Sequence, residues 1–338
     1  MSDMGGGYFD LQVNGYAGVD FQDDALNAED LHRACAALRA DGVGKILATI
    51  ITEHLAVMER RLRRLVELRE ADALVGETIS GIHIEGPFIS PIDGYRGAHP
   101  LDAVRPADVD SMRRLLDAAG GLARLVTLAP ENDPGFAVTR LLSSLNIRVS
   151  AGHSDASLEQ LNAAIDAGLT MFTHLGNGCP MQLHRHDNII QRALSLSEKL
   201  WLMFIADGAH VAFHALGNYL RAAGLDRCII VSDAVAPAGM GPGRFRLGRW
   251  DLLIGDDLVA RAPDGSHLVG SALNMPQAVQ RLMERVGLTR EQALRLTVHN
   301  PRKAMSNLRD SHASENGNDG RDGHDRQERT GRDRVAIG

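Results

Sequence analysis

Cysteine is scarce. Cys35, Cys179 and Cys228 are the only three in 338 residues. They are odd in number and lack C-x-x-C spacing, which argues against a disulfide framework and a thiolate zinc site and points to a reducing cytoplasm. Positive charge is in deficit too: Lys+Arg 36 against Asp+Glu 43 gives a net charge of −7. Such a balance offers no general electrostatic footprint for nucleic acid. The local run Arg60 to Arg64 lies on a helical pattern whose other face is apolar, and reads as a solvated surface. No stretch of 18 apolar residues occurs, and the start MSDMGGGYFD has no charged segment followed by an apolar one. Neither a membrane span nor a signal peptide is expected. The partners left are small molecules and other protein chains.

What is present is a large, patterned core. With 44% hydrophobic residues, a chain of this length buries about 75% of its unfolded surface and needs no staple. From Phe9 to about Ala304, short β-branched runs alternate with stretches of helical period, the pattern of parallel strands joined by helices. The strand candidates are Phe9 to Asn14, Lys45 to Thr52, Ile79 to Glu85, Leu122 to Ala129, Ile147 to Ala151, Thr170 to Leu175, Leu200 to Ala206 and Cys228 to Ser232. Leu31, Ala34, Cys35 and Leu38 form one apolar stripe, and Leu55, Met58, Leu62 and Leu65 another. Ser157-x-x-Gln160 and Thr289-x-x-Gln292 read as capping boxes. Eight such units in about 230 residues fit a closed (β/α)₈ TIM-type barrel. A doubly wound sheet is the rival, but it would carry a Gly-rich fingerprint after an early strand, whereas Gly5-Gly6-Gly7 precedes the first one.

Two stretches break the pattern. Val235 to Gly270 reads as a long functional loop with a hairpin over Arg244 to Ile254. Residues 1–8 and the polar segment from Ser306 onward, where only Leu308 and Ala313 are apolar up to Arg334, are expected to be disordered. The barrel itself then spans 9–305.

In a barrel, polar residues at the C-terminal strand ends build the active site. Here these are Gln12-x-Asn14, His83-x-Glu85, His153 to Asp155, His174 to Asn177, Asp207 to His210 and Ser232-Asp233. Imidazole and carboxylate suit a divalent cation such as Zn²⁺. Glu85, His153 and His174 would supply three ligands and leave a position open for water. Asp233 would take the proton of that water and pass it to a leaving amine, which is metal-assisted amide hydrolysis. His83 shares the Glu85 face one layer down and is expected to be a core histidine. His32, His54, His312 and His324 are expected to face solvent.

Seven strings in register carry a resemblance: Phe9 to Gly15, Gly81 to Phe88, Ala129-Pro130-Glu131, Gly152 to Ala156, Thr173-His174-Leu175-x-Asn177, Ala206-Asp207-Gly208-x-His210 and Ser232 to Gly239. Together they resemble the N-acetylglucosamine-6-phosphate deacetylase family of the amidohydrolase superfamily. The resemblance implies Glu85, His153 and His174 as metal ligands and Asp233 as acid/base. Gln12 and Asn14 stand where other amidohydrolases carry H-x-H, which implies one divalent ion, Zn²⁺ first, with Fe²⁺, Co²⁺ or Mn²⁺ as alternatives. It further implies substrate contacts from Ala98, His99, Asn177, Gly178, Val269, Gly270 and Ser271, a phosphate site at Arg185 and His210, and a homodimer.

Departures are visible as well. The family's small flanking β domain is expected to be largely missing, and His184 to Asn188 replace its usual G-R-x-P-G. The implied reaction is removal of the N-acetyl group of N-acetylglucosamine-6-phosphate. Deacetylation of another acetamido sugar such as N-acetylgalactosamine-6-phosphate, and a non-catalytic sugar-phosphate-binding paralogue, are the alternatives.

Overall fold

The computed structural model describes residues 6–247, 249–255, 259–265 and 268–306. The expectations for the first five residues and for 307–338, including His312 and His324, lie outside the described residues. Eight strands form one parallel sheet in chain order: β1 (Tyr8–Val13), β2 (Val43–Ile51), β3 (Ile79–Glu85), β4 (Ala123–Leu128), β5 (Arg148–Ala151), β6 (Leu169–Phe172), β7 (Trp201–Ile205) and β8 (Cys228–Val231). Every expected strand is there, to within a few residues at its ends. Each is nearly continuous apolar sequence because both faces of a parallel sheet are covered.

The seam between β1 and β8 closes the barrel more loosely than the other ladders. Val13 bridges Ala234, and the Asn14 N–H donates to the Ala234 carbonyl at 2.7 Å. Below that bridge the Ser232 N–H and hydroxyl both donate to the buried carboxylate of Asp10. Burial pushes the Asp10 carboxyl up to about 7, against the pull of those bonds.

Helices wrap the outside with the stripes the sequence carries. Helix α1 (Ala28–Ala40) buries Leu31, Ala34, Cys35 and Leu38, and α2 (Leu55–Ala71) buries Leu55, Met58, Leu62, Leu65 and Leu68. Asn27 caps the first through the Asp30 N–H, satisfying one of the donors a helix start leaves open. Both expected capping boxes form, at Ser157/Gln160 and Thr289/Gln292. A third forms at Asn274/Gln277. His32 and His54 are exposed, each beside an aspartate. Among the described residues no helix is long and apolar enough to cross a membrane.

Strand alternation sorts the barrel interior into layers. Leu47, Leu125, Met171, Met203 and Ile229 pack at one end, while the intervening Ile46, Ala48, Ile82, Ile84 and Val126 face the helices. Above the apolar plug, His83, Thr127, Thr173 and Ser150 form one hydrogen-bonded chain, each link 2.7 Å. His83 is the core histidine expected, held neutral because burial drops it to about 4. Above this layer sits the barrel mouth.

The long segment after β8 is a hairpin, β9 (Gly243–Leu247) and β10 (Trp250–Ile254), with β11 (Ala260–Arg261) paired to β10. Leu247, Leu252, Ile254, Ala260 and Val269 form a small core of their own against Ile51. The chain then returns to β8: the Ser271 N–H donates to the Asp233 carbonyl at 2.9 Å, and the Val235 N–H to the Ser271 carbonyl at 3.0 Å.

Candidate active site

The polar residues at the strand ends converge. Glu85 closes β3 and is 3% exposed. Its Oε1 meets His174 Nε2 at 2.9 Å and His153 Nε2 at 3.3 Å, while the Gln12 amide donates to both oxygens at 3.1 Å. Burial alone would push this carboxyl up, but the hydrogen bonds and charge interactions with His153 and His174 outweigh it and hold Glu85 well below the ordinary range. His99, from the loop after β3, brings its Nε2 within 3.2 Å of His153 Nε2. Burial and the neighbouring His153 lower His99 to about 3, so it is neutral.

The tautomer of His153 is fixed by its surroundings. Its Nδ1 lies 2.9 Å from the Tyr95 carbonyl oxygen, which can only accept, so Nδ1 carries the proton. Its Nε2 faces the Glu85 carboxylate oxygen. A carboxylate with imidazole nitrogens turned on it is a donor set that zinc and related divalent ions take. The separations agree: ligands 2.0–2.1 Å from one tetrahedral ion lie about 3.3 Å apart. The residues present therefore fit a divalent cation. Glu85, His99 and His153 place ligand atoms within 4.8 Å of one another, so His99 joins the cluster that sequence reading had confined to Glu85, His153 and His174.

Across the mouth, Asp233 accepts from the Asn14 amide at 2.7 Å. Burial and the charge of Glu85 raise its carboxyl to about 7, which suits a group that must both take and give a proton near neutral pH. His153, His174 and Asp233 all have left-handed backbone, with φ of 51°, 32° and 49°. Non-glycine residues adopt that region at a cost, and such strain gathers where side chains must be aimed. At the end of β7, Asp207 Oδ2 lies 2.6 Å from His210 Nδ1, and its Oδ1 accepts the Ala209 and His210 N–H groups at 2.9 Å each. Burial opposes the charged form of His210, but the Asp207 carboxylate prevails and raises it.

One cavity is lined by Glu85, His153, His174 and Asp233 together with Ala98, His99, Asn177, Gly178, His210, Val269 and Gly270. Two expected contacts do not line it. Ser271 is buried and spent on backbone pairing with β8 and on its own turn, its hydroxyl accepting the Leu273 N–H. Arg185, on the loop between Pro180 and the capping residue Asn188, is exposed. Sequence reasoning missed the apolar wall of Ile51, Leu247 and Leu268. It also missed that Gln12 and Asn14 hold the two carboxylates. The Gln12-x-Asn14 spacing, two polar residues in an apolar strand, was the available signal for the latter.

No family model matches the chain. It is similar to the N-acetylgalactosamine-6-phosphate deacetylase of Escherichia coli O157:H7, at 32% identity over 301 residues, covering 88% of this chain and 77% of that protein. It is also similar to the N-acetylglucosamine-6-phosphate deacetylase of Bacillus subtilis strain 168, at 32% over 280 residues, 82% of this chain and 69% of that one. Among solved structures, a variant of the Mycobacterium smegmatis N-acetyl-D-glucosamine-6-phosphate deacetylase in complex with N-acetyl-D-glucosamine-6-phosphate superposes with a TM-score of 0.79. It shares 32% identity and covers 88% of this chain and 77% of that chain. The Thermotoga maritima enzyme gives a TM-score of 0.77 at 26% identity, over 88% and 78%.

Proposed function

We propose, since the chain belongs to the N-acetylglucosamine-6-phosphate deacetylase family, that it hydrolyses the N-acetyl group of N-acetylglucosamine-6-phosphate to glucosamine-6-phosphate and acetate. The observation that carries this reading is the meeting of His153 Nε2 and His174 Nε2 on one Glu85 oxygen, with Asp233 on the same cavity.

Glu85, His153 and His174 would hold one divalent cation, and the donor set favours Zn²⁺ over Fe²⁺, Co²⁺ or Mn²⁺. Bound there, such an ion acts as a Lewis acid that polarises the amide carbonyl and acidifies water. The chain's own groups do the rest. Asp233 takes a proton from the attacking water as its oxygen adds to the amide carbon. It then delivers that proton to the nitrogen as the C–N bond breaks, giving acetic acid and the amine, which ionise to acetate and the ammonium form, so atoms and charge balance. Asn14 keeps one Asp233 oxygen occupied and so fixes which oxygen serves as base. His99 and Asn177, with the backbone at Ala98, Gly178, Val269 and Gly270, surround the sugar. His210, whose charged form Asp207 favours, faces the substrate's phosphate.

Arg185 is given a role across a homodimer. Its exposure outside the cavity suits a guanidinium that serves the partner's phosphate site, and the fully exposed Met181 stands on the same loop. Light scattering establishes the oligomeric state. Arg185→Ala should raise KM for the phosphorylated substrate and leave that for its dephosphorylated analogue unchanged, whereas equal effects remove Arg185 from the phosphate site. Three free cysteines support a reducing, cytoplasmic setting.

A second reading, N-acetylgalactosamine-6-phosphate as substrate, is favoured by the similarity to the E. coli O157:H7 protein of that name. Acetate release from both hexosamine phosphates, with metal determined on the same sample, decides between them. Release from neither makes the chain a non-catalytic binder.

A further inference from the structure

We infer that Glu131 is the positioning residue for His153. This rests on the reading above, in which His153 is a metal ligand. Glu131 belongs to the turn Pro130–Asn132 that follows β4, on the neighbouring strand, and touches neither the cavity lining nor the His153 ring. Its carboxylate instead grips the backbone that follows His153. Oε2 accepts the Ser154 hydroxyl at 2.6 Å and Oε1 accepts the Asp155 N–H at 2.7 Å. The Ser154 oxygen in turn accepts the Ala156 N–H at 3.0 Å.

That grip matters because His153 sits at φ 51°, a conformation a histidine keeps only where its surroundings impose it. Upstream, the Ser90 N–H holds the His153 carbonyl at 2.9 Å. Around the ring, a Cβ at Gly97 would come within 3.2 Å of Cε1 and one at Gly178 within 2.9 Å of Nδ1. The imidazole thus packs closely against two glycine backbones, and its Nε2 meets Glu85 from a left-handed backbone. Glu131 pins the residues immediately after that bend through the Ser154 hydroxyl and the Asp155 N–H, while Arg192 holds the Asp155 and Ala156 carbonyls further along. Burial pushes its carboxyl up, and the Ser154 and Asp155 bonds only partly offset this.

The chemistry of the two acceptors distinguishes geometry from charge. In Glu131→Gln the amide oxygen still accepts the Asp155 N–H, and the amide nitrogen can donate to Ser154, whose hydroxyl also accepts. Glu131→Ala loses both links. The test is the dissociation constant for Zn²⁺ and Co²⁺ in the full-length, metal-stripped chain, by competition with a chromophoric chelator. Loss of an outer-sphere partner weakens metal binding by about 10–100-fold, and that is the change expected for Glu131→Ala, with Glu131→Gln within about threefold of the parent. Leu62→Ala, a buried change in α2, should lower Tm without moving the metal constant.

Metal binding by Glu131→Ala as tight as the parent's, or by Glu131→Gln as weak as the alanine variant's, overturns the assignment. Should Glu131→Ala fail to fold, Ser154→Ala removes one of the two Glu131 links, together with the bond from the Ala156 N–H. Its metal constant should weaken by several-fold, and an unchanged value overturns the assignment equally. His153→Ala is the control that separates the two claims: if it binds metal like the parent, the ligand reading itself falls.

Discussion

Two polar layers lie one above the other inside this barrel. In the lower one, His83, Thr127, Thr173 and Ser150 satisfy each other in a chain of 2.7 Å bonds. In the upper one, Glu85, His99, His153, His174 and Asp233 crowd together with Gln12 and Asn14. Among the described residues, buried side-chain atoms without a partner include Gln12 Oε1, Asn14 Oδ1, His99 Nδ1 and His174 Nδ1 from the mouth, against His83 Nδ1 from the layer below. The mouth alone carries left-handed histidines and aspartate. Both layers are buried and histidine-bearing, so burial and residue type do not separate structure from chemistry. Unspent hydrogen-bonding capacity combined with backbone strain does, because a protein retains such costs where a ligand will use them.

The largest break in this comparison comes from removing the upper layer's grip. His153→Ala, His174→Ala and Glu85→Gln should each lose stoichiometric metal, measured by elemental analysis, and cut turnover by roughly 10³-fold or more. Asp233→Asn should keep its metal while kcat falls about 10²–10⁴-fold, the range of a lost acid/base. Metal loss in that variant would make Asp233 a ligand. In the lower layer, Thr127→Val should cost about 1–3 kcal/mol in denaturant unfolding by leaving His83 and Thr173 short of a partner. Turnover per folded molecule should survive there, and a loss comparable to that of Asp233→Asn would erase the distinction between the layers.

The smallest effect concerns Asp10 at the barrel seam, whose carboxyl is raised from 3.8 to about 7 by burial. An acid raised on folding contributes stability that is present in full below its unfolded value and lost as pH rises through the folded one. Stability should therefore decline between about pH 4 and 7, and Asp10→Asn should flatten that slope. A parent protein with no such slope would show that Asp10 titrates normally.

Much of this was legible in the sequence because parallel strands are written as apolar runs and their ends as polar punctuation. The candidate ligand positions at the ends of β3, β5 and β6 could be named since polar residues stand out where the apolar runs stop, and a strand's period of two placed His83 in the layer beneath Glu85. The sequence offers His99 only as a substrate contact, because nothing local brings the loop after β3 over a histidine 54 residues away. Arg185 does not line the cavity, which the sequence could not show. Its motif neighbourhood is altered at His184 and His186, and loop direction is not encoded in periodicity. Ser271 adjoins Val269 and Gly270, which line the cavity, but does not line it itself. The Ala234–Ser271 bridge that occupies it exists only once β8 and the returning chain meet.

The most direct test is acetate release from N-acetylglucosamine-6-phosphate by purified protein before and after chelation, with bound metal counted on each sample. One divalent ion per chain is predicted, with release abolished on stripping and restored by Zn²⁺. Undiminished release by metal-free protein would contradict the account.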